Sequence, residues 1–421
     1  MKLSKAGAAL LVLMAAAPGG AGATSLDEAI ALALKHNPDT AEARATIDYA
    51  DAKVREAWSA ALPQVSVTGE TGHGRTNLGG FFGFGKADVD PRAAQIEVRE
   101  NLFSGGAVIA SIEQAKQGRE AARQMSEGTR AKLTARVAEA YGGVLYARTV
   151  YDLTTTYLSA TEEVARQARL RFNAGEIPRS DLAQADARHA EGRAELAKAQ
   201  ERLADARAHY RTLVGEEADH LDPISTPAAA PDDLEALIDR AQGSNPDLDA
   251  ARAGLRAARA GLRQAEAERL PNIALTASAA TTRDEFFPGY RADGTTIGVQ
   301  GRWTIFSSGG VSARISEARA TVRKAEAEVM RAEASVREGV VAAWSAVASA
   351  KADQDAVEDQ VKAQQLALDS VRQEVRVGQK TTLDRLNAER DLLDAQSKLA
   401  ATKSARATAY FQLQAVVGRA L

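Results

Sequence analysis

The chain contains no cysteine, so disulfides and thiolate metal sites are excluded, and the absence suits an oxidising compartment. Aromatic residues make up only 5% of its 421 positions. That is little bulk for several compact cores, although such a length ordinarily holds two or three globular domains. Charge of one sign is missing too: 53 basic against 56 acidic side chains give a formal −3, which offers nucleic acid no attraction. No stretch approaches the roughly 20 apolar residues of a membrane-spanning helix. If the mature chain enters a bilayer it must do so as a β-barrel, the other structure that satisfies its backbone in lipid. Alanine fills the space instead, with Glu, Arg, Gln and Leu, a composition of long helices and coiled coils.

Residues 1–23 read as a secretory signal peptide. Lys2 and Lys5 give the positive start, Ala8 to Ala17 the short apolar segment, and Ala21-Gly22-Ala23 the small residues for cleavage. The apolar run is too short for an anchor helix, and no cysteine follows to carry a lipid. Without Lys2 and Lys5, 53 − 2 = 51 basic groups face 56 acidic ones, a mature charge of about −5.

The mature sequence is written twice. Asn37-Pro38 returns as Asn245-Pro246 and Leu62-Pro63 as Leu270-Pro271, both 208 positions later (245 − 37 and 270 − 62). Leu102-Phe103-Ser104-Gly105-Gly106 returns as Ile305-Phe306-Ser307-Ser308-Gly309-Gly310. Gly175 with Asp181 returns as Gly378 with Asp384, and Leu213-Val214-Gly215 as Val416-Val417-Gly418, each 203 positions on (378 − 175 and 416 − 213). Several unrelated anchors in one order mark a duplication. The expected halves are 24–214 and 233–421, joined by a proline-bearing linker at 215–232.

Each half follows one grammar. A short helix stops before Asn-Pro, because the residue ahead of proline is pushed out of the helical region. A helix of about 24 residues runs to Leu-Pro, followed by strand, loop, strand and the glycine turn. Long helices then occupy about 106–171 and 178–214 in the first half, and about 310–377 and 381–417 in the second. Stepping by seven from Ile315 lands on Val322, Val329, Val336, Ala343, Ala350, Val357, Gln364 and Val371, eight of the nine apolar. A second seam, Ala318, Ala325 and Ala332, is alanine, and the returning helices keep the period through Leu182, His189, Leu196, Leu203 and Tyr210, and through Leu386, Leu393, Ala400 and Ala407. A strict seven-residue period over this length implies a left-handed coiled coil, and a helix of about 65 residues extends ~100 Å.

A soluble coiled coil, such as a periplasmic adaptor or scaffold, would share those helices. The strands speak for a different end. They are expected at about 64–72, 94–102, 272–280 and 296–304. Val65 and Val67 alternate with Gln64, Ser66 and Thr68; Ile96 and Val98 with Gln95, Glu97 and Arg99; Ile273 and Leu275 with Thr276 and Ser278; Ile297, Val299 and Trp303 with Gln300 and Arg302. Each run has about the 9–11 residues of a tilted membrane strand, in the apolar-out, polar-in pattern of a barrel. Four strands close around nothing and would leave two edges bare in lipid. Copies must therefore pool strands; three copies give twelve, although two or four would also close.

In this order the duplicated halves, the Asn-Pro and Leu-Pro pairs, the Leu-Phe-Ser-Gly-Gly turn and Arg171-Phe172-Asn173-Ala174-Gly175 resemble the TolC family of outer-membrane efflux and type I secretion channels, over essentially the whole mature chain. The resemblance implies a mainly α fold with a membrane β portion: a homotrimer with a twelve-stranded barrel and an α-helical tunnel through the Gram-negative periplasm. It implies a passive exit duct, not an enzyme, with no cofactor or metal. Its partners would be a periplasmic adaptor (membrane fusion protein), an inner-membrane pump of ABC or RND type, and outer-membrane lipid. Adaptors show a single helical hairpin between β-rich halves, whereas the long helices here occur twice.

The resemblance also assigns residues. Gly175 and Gly378 mark the helix-tip turns where adaptors engage relatives. Asp181 and Asp384 match acidic residues of the family's periplasmic constriction, Ser180 a small hydroxyl residue of the closed state, and Lys380 an often basic position. Helix capping or first-turn charge is the competing reading for both aspartates, and the roles can coexist. Two positions depart from the pattern: Val375 replaces a latching tyrosine and Asn387 a second acidic residue, leaving Asp384 to supply one ring of three carboxylates. Such rings favour cations.

Other signals carry little. Gly80-Phe81-Phe82-Gly83-Phe84-Gly85-Lys86 approaches a phosphate-binding loop, but Ala87 follows where Ser or Thr is needed. It reads as an exposed barrel loop, like Thr281 to Thr296 with Phe286, Phe287 and Tyr290. His36, His73, His189, His209 and His220 lack ligand spacing, and His189 stands on a packing position.

Overall fold

The computed structural model describes residues 24–77, 79–80, 85–225 and 233–418. The expected signal peptide, residues 226–232 of the linker, and Phe81, Phe82 and Phe84 lie outside the described residues. In the first half, α1 (Leu26–His36) and α2 (Pro38–Ser59) lead to β1 (Gln64–Thr71), a small hairpin of β2 (Gly74–Asn77) and β3 (Lys86–Val89), then β4 (Arg92–Phe103), α3 (Ala107–Asn173) and α4 (Arg179–Val214). In the second, α5 (Leu234–Ser244), α6 (Pro246–Ala267), β5 (Asn272–Arg283), β6 (Arg291–Arg302), α7 (Gly310–Arg376) and α8 (Thr382–Val417) repeat that order without the small hairpin. The halves match to the residue in their long helices: α3 and α7 have 67 residues each, α4 and α8 36 each.

The heptad stripe accounts for these lengths. All nine positions from Ile315 to Val371 are buried or half-buried, while the residues between them are mostly exposed. The second seam begins three residues after the first, at Ala318, Ala325 and Ala332, and moves to four residues after it at Val340, Val347, Gln354, Val361, Leu368 and Val375. A straight helix drifts by ~20° per heptad against a 3.5-residue repeat, so over several heptads the covered neighbour changes by one position.

Two compact units emerge among the described residues. One gathers 24–37, 133–225 and 346–411; the other gathers 38–132, 233–345 and 412–418. The core of the first joins Ile30 of α1, Val137, Tyr141 and Val144 of α3, Tyr210, Leu213 and Val214 of α4, and Phe411 of α8. Burial pushes the Tyr141 phenol up to about 12, so it stays a neutral donor, shared between the carbonyls of Thr24 at 2.7 Å and Asp222 at 2.8 Å.

In this unit Asn37, only 6% exposed, donates its amide to the carbonyl of Leu213 at 3.0 Å, next to the end of α4. In the other unit Asn245 makes the same bond to Val416 at 2.8 Å, next to the end of α8. Asn245 also caps α6, its Oδ1 accepting from the Leu248 amide at 3.1 Å. The last carbonyls of a helix have no partner within it, and here each returning helix has one of them satisfied by the Asn-Pro step of its own half.

The second unit holds a four-stranded antiparallel sheet in the order β1-β4-β5-β6. The halves meet at β4 and β5, and the outer edges belong to β1 and β6. β5 runs three residues past its expected end, and β6 starts five residues before its expected start. Small and polar residues there carry no hydrophobic alternation, yet their backbones still pair. β6 stops at Arg302, so Trp303 is not a strand residue; its indole N–H is turned to the Arg269 carbonyl at 3.0 Å. The β2–β3 hairpin, four residues a side, stands where a plain loop was expected. Strands that short give no periodic signal.

Replacing Asn245 with Ala removes both of its side-chain bonds, the helix cap and the tie to the half-buried Val416, a loss of about 1–2 kcal/mol. Asn245→Asp keeps the cap acceptor but loses the donor, and falls between. Urea unfolding of the detergent-solubilised protein separates the three forms.

Candidate functional site

The candidate residues gather where the long helices turn back, inside the first unit. Gly175 and Gly378 take the left-handed conformation, with φ of 75° and 78°. Both close a Schellman turn: the Glu176 amide reaches the Arg171 carbonyl and Gly175 that of Phe172, while Gln379 reaches Glu374 and Gly378 reaches Val375. A side chain at either glycine would strain the backbone. Behind the first turn Ala165, Ala168 and Ala185 pack with Ile177 and Leu182; behind the second, Leu368, Ala388 and Leu392 pack with Val361 and Val371.

Asp181 lies in the first turn of α4, whose cap residue Pro178 offers no side-chain acceptor. It is half-buried, and Ser180 donates its hydroxyl to it at 3.2 Å. Asp181 lines a cleft of about 200 Å³ with Ala185, Thr381, Thr382 and Leu386, so the starts of α4 and α8 share one wall. Asp384 is outside that lining. Its carboxylate turns back on its own helix start, accepting the Thr381 backbone N–H at 2.8 Å and hydroxyl at 2.7 Å, while the Asp384 amide donates to the Thr381 hydroxyl at 3.1 Å. This is a capping box. The Thr381 hydroxyl and amide, with Lys380 adding its charge, hold the Asp384 carboxyl below its ordinary range. Val375 is half-buried, and Asn387 accepts from Arg188 at 3.2 Å.

The structure adds charged residues that the motifs did not single out. Arg390 of α8 reaches Glu191 of α4 at 2.6 Å and Asp394 at 3.2 Å, and Arg188 also holds Glu191, at 2.8 Å. The two crossings, Arg188 to Asn387 and Glu191 to Arg390, each join residues 199 positions apart and tie α4 to α8. Next to them Glu389 is 6% exposed and receives Arg385 at 3.0 Å. The spacings of Arg188 with Glu191 and of Arg390 with Asp394 were visible in the sequence, but which helix faces which was not. Among the described residues no group of His, Asp or Glu is arranged to hold a metal ion.

Comparison with known proteins gives a consistent answer. The family model for outer membrane efflux proteins matches twice, over residues 29–216 and 237–419; its two starts differ by 208 and its two ends by 203, the offsets of the internal repeat. The chain is 31% identical over 401 residues to the outer membrane efflux protein BepC of Brucella suis biovar 1, covering 94% of this chain and 85% of that one. It is 25% identical over 342 residues to the alkaline protease secretion protein AprF of Pseudomonas aeruginosa, covering 79% and 70%. Among solved structures it superposes on the Campylobacter jejuni CmeC outer membrane channel with a TM-score of 0.82 at 15% identity, over 93% of this chain and 85% of that one.

The lowered carboxyl at Asp384 has a pH signature. A depressed acid adds stability above its unfolded value and loses it as pH falls through the folded one. Hydrogen-exchange protection of the first turn of α8, corrected for intrinsic rates, is therefore expected to hold at neutral pH and to fall only below the usual carboxylate range. In Asp384→Asn, protection should already be reduced at neutral pH and should lack the acid step.

Proposed function

We propose, from the premise that this chain belongs to the outer membrane efflux protein family, that three copies of it close one duct leading from an inner-membrane pump to the outside. The supporting observation is a packing pattern that breaks off at both ends of the protomer. Within the chain the first half docks on the second: β4 pairs with β5, and Gly105 packs so tightly on Leu270 and the Ala267 carbonyl that a Cβ there would come within 2.7 Å of both. The equivalent docking of second half on first is missing. Among the described residues β6 and β1 are free edges, Ser308, which stands at the place of Gly105, is exposed, Leu62 is 58% exposed, and Ile305 and Phe306 are 83% exposed. A neighbouring copy supplies what each lacks, β1 for β6 and Leu62 for the turn at Ser308. Repetition of one heterologous contact closes a ring. Three copies bring 3 × 4 = 12 strands, wide enough for an open lumen.

In this reading the helix tips form the periplasmic entrance. Asp181, Asp384, Ser180 and Lys380 line the narrowing, and the turns at Gly175 and Gly378 meet a periplasmic adaptor. The duct is passive, and energy enters at the inner-membrane pump. A capping role for Asp384 does not remove its charge from the entrance, since its threonine partners leave the carboxylate ionised.

Outer-membrane fractions should contain a heat-modifiable trimer that conducts ions in planar bilayers. Asp384→Ala should weaken block by divalent cations and lower cation selectivity several-fold; unchanged values would take Asp384 out of the narrowing. Gly378→Val should leave trimers intact and impair export in cells, because valine resists the left-handed turn.

A further inference from the structure

The sheet carries a feature that the duct itself does not need. Cross-strand partners lie on the same face, so the registers sort the strands into rows. On one face the rows are Val65, Val98, Ala277 and Ile297, then Val67, Ile96, Ala279 and Thr295, then Gly69, Ala94, Thr281 and Asp293. Val67 and Ile297 are both 76% exposed, so nothing among the described residues covers this face there, and the opposite face carries Gln64, Arg99, Ser66, Glu97 and Gln95. The apolar face is the one turned to lipid. The next row away from the long helices is Thr71, Arg92, Arg283 and Arg291. Three adjacent strands thus end their lipid-facing columns in arginine.

We propose that Arg92, Arg283 and Arg291 form a binding site for the phosphate headgroups of outer-leaflet lipid. The proposal rests on the outer-membrane barrel reading above and adds a ligand to it. From the row of Ile273 to the row of Arg283 is ten residues, which at ~3.3 Å per residue and a tilt near 40° is about 25 Å, the height of an outer-membrane apolar band. The hairpin ends point away from the helices, so the arginines reach the outer headgroups. Arginine on a lipid face is costly at mid-depth and tolerated near the interface, and its planar fork matches phosphate.

The local charge balance agrees. Asp293 is held by Arg283, at 2.9 Å, and by the Thr281 hydroxyl at 2.6 Å, and lies in the field of Arg291. Asp284 accepts from the Gly289 amide, Asp90 is engaged by His73 and Asp88 by Arg75; Glu285 lies in the β5–β6 loop and Glu70 on the other face. The side chains of Arg92 and Arg291 make no hydrogen bond or ion pair among the described residues. Three arginines less Asp293 leave 3 − 1 = 2 positive charges per protomer facing the headgroups.

The test compares the purified trimer with Arg92→Gln/Arg291→Gln, which spares the Arg283–Asp293 pair. Binding is measured to phosphatidylcholine vesicles carrying diphosphorylated lipid A or its dephosphorylated form. The wild type should prefer the phosphorylated lipid, and the double variant should bind it roughly tenfold more weakly, at the level of the dephosphorylated lipid. Arg92→Lys/Arg291→Lys should retain part of the preference, which keeps the test usable if the glutamine variant assembles poorly. Equal binding of both lipids by the wild type, or undiminished binding by the double variant, overturns the proposal. Complete displacement by millimolar inorganic phosphate would make this a free-anion site, and dissociation of the double variant into monomers would make it a subunit contact; either outcome overturns lipid recognition. Planar-bilayer conductance of the same preparations reports separately on the duct.

Discussion

The backbone groups along β1 and β6 that no strand among the described residues satisfies are the constraint from which the rest follows. In water such edges are a liability, and in hydrocarbon each unpaired group costs several kcal/mol. The sheet offers four strands, an apolar outer face and two open sides, and only identical neighbours bring complementary edges in the right order. In the proposed ring the chain is one arc of a wall, and the exposure of Leu62, Ile305 and Phe306 belongs to the same incompleteness.

Duplication is what makes an arc of this kind simple to specify. One grammar written twice yields two half-units whose mutual contact can be repeated without new design. The Asn-Pro steps show how closely the copies agree: Asn37 and Asn245 reach Leu213 and Val416, carbonyls that are themselves 203 positions apart. The tips show where they diverge. Asp384 is drawn into a capping box with Thr381, while Asp181 follows a proline that offers no such partner. Equivalent carboxylates therefore stand in different local fields.

The architecture was legible wherever it depends on period or punctuation. The seven-residue stripe from Ile315 gave the long helices, and Gly175 and Gly378 gave the turns, because supercoil and left-handed glycine leave direct marks in a sequence. The strands at 64–71 and 92–103 were visible where valine and isoleucine alternate with polar residues. The extension of β5 through Thr281 and Thr282 and of β6 back beyond Thr295 was not, since backbone pairing there needs no apolar pattern. The charged ties between α4 and α8 were illegible for another reason. Arg188 and Glu191 satisfy a helical spacing that any solvated surface also shows, and only the fold reveals that Asn387 and Arg390 stand opposite.

The equality of the paired helices, 67 with 67 and 36 with 36 residues, sets a rule for change in this protein. An insertion in one half shifts its seam unless it spans whole heptads, and a wall built from both halves stays level only if the other half changes by the same amount. Descendants can therefore lengthen or shorten only in increments of about 10 Å, two copies at a time. The sequence is a gauge with fixed graduations for the gap between two membranes.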